Sequence, residues 1–216
     1  MSVVYEKFNS SDFAMELASW VALGSPMPTH YFMKSLIVAA YIKASKLDLF
    51  VETGTYTGRT TDFIARLGVE VHTIELSVKY HADAIKRFEG VTNVTCHQGD
   101  SGHVLASLTS LSRPAVFWLD GHYSGGDTAL GDAYSPIEAE LDAIAKRSNS
   151  DDVILIDDMM CFGSNGYPPV SDLITFGSRH FAGRPVVLRN DILSFAPQAV
   201  HDLVPNMIPE LMGFYK

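Results

Sequence analysis

At 216 residues the chain is long enough for one domain with a substantial core. A net charge of −9 with no basic run excludes a broad nucleic-acid-binding surface, and no apolar stretch approaches the ~20 residues that span a membrane. The N-terminus lacks a signal peptide's basic head and apolar middle. The two distant cysteines, Cys96 and Cys161, read as small buried residues of a reduced, cytoplasmic protein.

Ser10 or Ser11 is placed to cap a first helix from Asp12 to Leu23, ended by Gly24-Ser25-Pro26. Thr29 is placed to cap a second, whose apolar face is Leu36, Ile37, Ala40, Tyr41 and Ala44. Residues 1–46 are therefore expected to be a helical extension, either a flap over one sheet edge or a lid lending His30 or Tyr31 to a pocket. The flap is the simpler expectation.

The next stretch organises the rest. Leu49-Phe50-Val51 is a buried-strand pattern that stops at Glu52, and a turn with Gly54 and Gly58 leads into the helical pattern Phe63-Ile64-Leu67. Strand, glycine turn and helix open a nucleotide-binding βαβ unit, or equally a plain one. Tyr56 stands where a dinucleotide motif needs its middle glycine, which argues against NAD because a pyrophosphate requires bare backbone there.

Four more strand-and-helix units follow. The strands are expected at residues 69–75, 93–97, 114–120 and 152–156. The helices are expected on Val78, Ala82, Ile85 and Phe88; on Val104, Leu105, Leu108 and Leu111; and, capped by Ser135, on Ile137, Leu141 and Ile144. A helix over residues 171–181 comes next. Strands at 185–189 and 192–195 are then joined only by Asn190-Asp191, a link too short for a parallel crossover and suited to a tight hairpin. The expected fold is α/β: a Rossmann-like, doubly wound, mostly parallel sheet over residues 47–196, ending in an antiparallel hairpin. Residues 197–216 are left as a C-terminal tail within the same single domain.

Each strand of the parallel set ends in a carboxylate: Glu52, Glu75, Asp100, Asp120 and Asp157-Asp158. Such acids often just cap the next helix, but the carboxyl ends of a parallel sheet share one edge, so five in five point to one crevice. Glu75 lies 21 residues after Gly54, the interval at which an acid receives ribose hydroxyls. Asp100, with Ser101 beside it, suits an exocyclic amine such as that of adenine. These roles describe an adenosine-containing ligand without a diphosphate.

Together, Glu52-x-Gly54-x-x-x-Gly58, Glu75, Gly99-Asp100-Ser101, Asp120 and the terminal hairpin resemble the class I S-adenosylmethionine-dependent methyltransferases over roughly residues 47–196. The resemblance implies S-adenosylmethionine as cofactor, with Glu52, Gly54, Tyr56, Gly58, Glu75, Asp100, Ser101 and Asp120 around it. Leu119-Asp120-Gly121-His122 with Ile156-Asp157-Asp158 is similar to the metal-dependent O-methyltransferases, chiefly the macrocin type that methylates sugar hydroxyls and more distantly the catechol type. That likeness implies Mg²⁺ held by Asp120, Asp157 and Asp158, and a small-molecule hydroxyl as methyl acceptor. Three carboxylates suit a hard, oxygen-loving cation, though clustered aspartates also serve as hydrogen-bonded caps.

His122 stands where the macrocin type has an aspartate base. It is a candidate base with Asp120 beside it, a candidate fourth ligand, or a loop histidine with neither role. A metal-independent methyltransferase is the alternative if the aspartates bind no ion. A serine hydrolase is the rival chemistry, because Ser124 sits in a near-elbow with Asp157 and then His180 or His201 following in order. The bulky His122 and the lack of a prompt helix weigh against it. A non-catalytic nucleotide-binding module completes the alternatives. An oligomer is compatible with the sequence, which specifies none.

Overall fold

The computed structural model describes residues 10–108, 112–121, 135–147, 151–164 and 166–214. The expected strand–helix alternation is present. Helices α1 (Ser10–Ala22) and α2 (Tyr31–Ser45) precede β1 (Leu49–Thr53), α3 (Arg59–Ala65), β2 (Glu70–Glu75), α4 (Val78–Arg87), β3 (Val94–Gln98), α5 (Ser101–Ser107) and β4 (Val116–Leu119). Then come α6 (Ile137–Lys146), β5 (Val153–Ile156), α7 (Val170–His180), β6 (Val186–Arg189), β7 (Ile192–Phe195) and α8 (Gln198–Phe214).

The seven strands lie in the order β3-β2-β1-β4-β5-β7-β6. β1 to β5 are parallel, and β7 runs against both β5 and β6. The hairpin turn is Asn190-Asp191, with φ of 50° and 64°. Two successive positive φ values make the turn whose twist matches its flanking strands, and asparagine and aspartate tolerate them best after glycine.

Strand alternation divides the core between two faces. Leu49, Val51, Phe117, Leu119, Ile154 and Ile156 meet α5, α6 and α7. Phe50, Val116, Trp118, Val153 and Leu155 meet α2, α3 and α8.

Four expectations are corrected. Helix α2 does not flap over an edge. It touches β4 and β5 in the middle of the sheet, and ten of its fifteen residues are buried because α8 covers its outer side. A helix apolar all round must be enclosed, and residues 198–214 do this as a helix rather than trailing as a tail. Tyr41 fastens the pair: its hydroxyl lies 2.8 Å from Ser194 Oγ and 2.9 Å from His201 Nδ1.

Helix α4 buries Tyr80, Ala84 and Phe88 and leaves Val78 72% exposed. Two aromatic rings remove more apolar surface from water than Val78 and Ile85 could. The cap of α2 is His30, whose Nδ1 accepts from the Phe32 amide at 3.3 Å, and not Thr29. Among the described residues no helix is long and apolar enough to cross a membrane.

Candidate active site

One cavity of about 780 Å³ opens along the carboxyl edge of the parallel strands, within the range of small-molecule sites. Gly54, Tyr56, Glu75, Asp100, Ser101, Asp120, Asp157 and Asp158 all line it. The structure thus brings together eight of the residues the sequence singles out. It leaves Glu52 and Gly58 off the cavity wall.

Glu52 shares a strand face with Phe50, so its side chain enters the core beneath α3. It is 2% exposed. The Thr61 and Thr73 hydroxyls both donate to its Oε2, the latter at 2.7 Å. Burial pushes its carboxyl up to about 7, against the opposing pull of those two donors. Gly58 has a φ of +71° and begins α3, and a Cβ there would lie 3.0 Å from the Phe88 ring. Its bare backbone serves helix packing.

Glu75 ends β2 and ties the glycine turn to the strand. Its Oε2 accepts the Tyr56 amide at 2.7 Å, and its Oε1 accepts the Ser77 amide at 2.8 Å. Tyr56 is thereby held at φ +47°, half-exposed, edge-on to Tyr80 at 4.8 Å. Asp100 caps α5 through the His103 amide at 3.3 Å. The Ser101 hydroxyl donates to the buried Glu140 at 2.6 Å, a partner the sequence did not reveal because it lies 39 residues away.

At the other end, single oxygens of Asp120, Asp157 and Asp158 lie within 4.8 Å of one another. Asp120 follows β4, where its amide donates to Thr53 O at 3.3 Å. Asp157 and Asp158 follow β5. Asp158 takes φ +54°, and its amide donates back to Asp157 Oδ1 at 2.8 Å. The hairpin fixes this corner, since Asp191 accepts the Met160 amide at 2.7 Å. Withdrawal from water raises the Asp120 carboxyl well above its ordinary range, and the charges of Asp157 and Asp158 add to the shift. Burial also raises Asp157, against the Lys34 ammonium.

Lys34 is a cavity residue the sequence reading missed. Its Nζ lies 2.8 Å from Asp157 Oδ1 and bonds Asp158 as well. Burial alone would lower its pKa, but the two carboxylates outweigh burial and hold the ammonium well above its usual range. The available signal was a lysine one turn into a mostly apolar helix, since such a charge needs a partner.

Trp118 is the second omission. Its indole N–H is buried beside the cavity and has no hydrogen-bond partner among the described residues. The N-terminal segment adds Trp20, Pro28, Thr29, His30 and Tyr31 to the wall. Residues 161–170 contribute none of the described lining.

His122 and Ser124 lie outside the described residues. The two histidines of the hydrolase reading are committed elsewhere. His201 meets Tyr41 and the Pro185 carbonyl, and His180 stacks on Phe176, so neither is bonded to Asp157.

No family model matches the chain, and no curated protein matches its sequence. Among solved structures the chain is similar to an O-methyltransferase from Bacillus cereus in complex with S-adenosylhomocysteine, at 16% identity and a TM-score of 0.57, covering 90% of this chain and 93% of that one. It is similar also to the O-methyltransferase TomG from Streptomyces achromogenes, in complex with S-adenosylmethionine, at 15% identity and 0.55, covering 91% and 93%. A methyltransferase from Geobacter sulfurreducens matches at 14% and 0.54, covering 89% and 92%. The fold is that of the class I methyltransferases.

Proposed function

We propose that the chain transfers a methyl group from S-adenosylmethionine to a hydroxyl of a small molecule, with Mg²⁺ at the acid cluster. One observation carries this reading. A single cavity joins Glu75 and Asp100, at the ends of β2 and β3, to Asp120, Asp157 and Asp158, at the ends of β4 and β5. The first pair offers carboxylate acceptors for the hydroxyls and amine of an adenosine, and the second set offers oxygen donors for a hard cation. The likeness to O-methyltransferases solved with S-adenosylmethionine or S-adenosylhomocysteine supports the cofactor half.

In this reading Glu75 receives the ribose hydroxyls, Asp100 and Ser101 border the base, and Gly54 and Tyr56 frame the amino-acid end. Glu52 supports the turn from below, through Thr61 and Thr73. When bound, S-adenosylmethionine supplies an electrophilic methyl, and Mg²⁺ at Asp120, Asp157 and Asp158 lowers the pKa of an acceptor hydroxyl. Asp120 orients that hydroxyl and His122, two residues on, takes its proton. The Trp118 N–H is a donor for an acceptor oxygen, and Trp20, His30 and Tyr31 bound the acceptor on the open side.

Calorimetry and labelled-methyl transfer test the two halves separately. S-adenosylhomocysteine should bind, and NADH and ATP should not at millimolar concentration. The reverse pattern ends the cofactor assignment. Chelation should abolish transfer and leave S-adenosylhomocysteine binding intact, because the cofactor contacts lie on other strands. Full activity in excess chelator would make this a metal-independent methyltransferase.

A further inference from the structure

We propose that Lys34 is an internal counter-cation of the acid cluster, which a divalent ion must displace from Asp157 and Asp158 in order to bind. This rests on the metal reading above. Among the described residues, Lys34 is the only lysine or arginine lining the cavity. Its ammonium lies 2.8 Å from Asp157 Oδ1 and also bonds Asp158 Oδ1, so it occupies one oxygen of each acid. Those two acids are also two of the three residues whose oxygens cluster closely enough for an ion. A metal and an ammonium at hydrogen-bond distance from the same carboxylates repel each other at close range, in a site largely shielded from water. The two occupants therefore exclude one another.

The element carrying Lys34 makes the competition intrinsic. Helix α2 is enclosed by the sheet and α8, and Lys34 sits one turn from its start, its amide bonded to the His30 carbonyl at 3.1 Å. The backbone cannot retreat without unpacking the core, so displacement has to be a swing of the lysine side chain. The Lys34 side chain is 12% exposed and lies on the cavity wall, which leaves the cavity as its path. In the metal-free protein the same ammonium relieves the repulsion between Asp157 and Asp158.

Mn²⁺ is a suitable probe, with affinity read from the paramagnetic resonance of the free ion. K34Q and K34M should bind Mn²⁺ at least tenfold more tightly than wild type, and D157N/D158N should not bind it. In the unmutated protein, acetylation of Lys34 read by mass spectrometry should be slow without metal and several-fold faster at saturating Mn²⁺. This second measurement holds even if a variant fails to fold. Equal affinity in wild type, K34Q and K34M, or Lys34 labelling indifferent to bound Mn²⁺, overturns the competition and leaves the metal reading standing. No Mn²⁺ binding at millimolar concentration by any form, K34M included, overturns both.

Discussion

A Cβ added to Gly54 would lie 2.4 Å from the carbonyl oxygen of Asp120. The turn after β1 and the end of β4 thus meet backbone to backbone, and the position of Asp120 depends on a missing side chain. Gly54 also has a φ of +82°, a conformation that L-residues adopt only at a cost.

Gly54→Ala should therefore destabilise the fold by about 3 kcal/mol or more, a fall in Tm of roughly 6–12 °C for a chain of this size. Gly68→Ala is the control, because Gly68 has a φ of +78° with nothing within 4 Å of the added carbon. It should cost only the backbone term, ~1–2 kcal/mol. Thermal melts of the two variants give the comparison, and equal losses would show that the contact with Asp120 is unimportant.

Glu75 holds the Tyr56 amide of the glycine turn and the Ser77 amide ahead of α4, and it faces the cavity. Glu75→Ala should weaken S-adenosylhomocysteine binding by ~1.5–3 kcal/mol, the value of a charge-assisted hydrogen bond, measured by calorimetry. Because the Tyr56 amide also loses its acceptor, the variant should melt earlier than wild type. Unchanged affinity would remove Glu75 from the cofactor site.

Glu52 gives a pH signature. Its folded-state carboxyl is raised to about 7 by burial, above the unfolded value of 4.5. The native state therefore holds a proton that the unfolded chain gives up between those values. This contribution to stability is fully present below about 4.5 and is lost as pH rises to about 7, a change on the order of 3 kcal/mol. Glu52→Gln cannot ionise, so its stability relative to wild type should climb across that window and level off above it. Denaturant unfolding from pH 4.5 to 8 makes the measurement, and a parallel pair of curves would contradict the assignment.

Much of this was legible in the chain itself. The strand–helix alternation, the hairpin at Asn190-Asp191 and the carboxylates closing the parallel strands follow from patterns two to four residues long. Such patterns record how each element meets a core on one side or both. The place of Glu52 was half legible. Alternation sets it on the face of Phe50, but only the docking of α3 brings the Thr61 hydroxyl onto its carboxylate and closes it off from the cavity.

What lay beyond the sequence was every relationship fixed by topology. Nothing local to residues 31–45 says that they cover the middle of the sheet, because that position exists only once α8 packs on their other side. Nor does anything near Lys34 say that its ammonium meets Asp158, 124 residues later. Hydrophobic periodicity constrains which face of an element is buried and leaves its neighbour undetermined. An ion pair between distant segments forms where packing of the whole chain brings its two ends within a few ångströms.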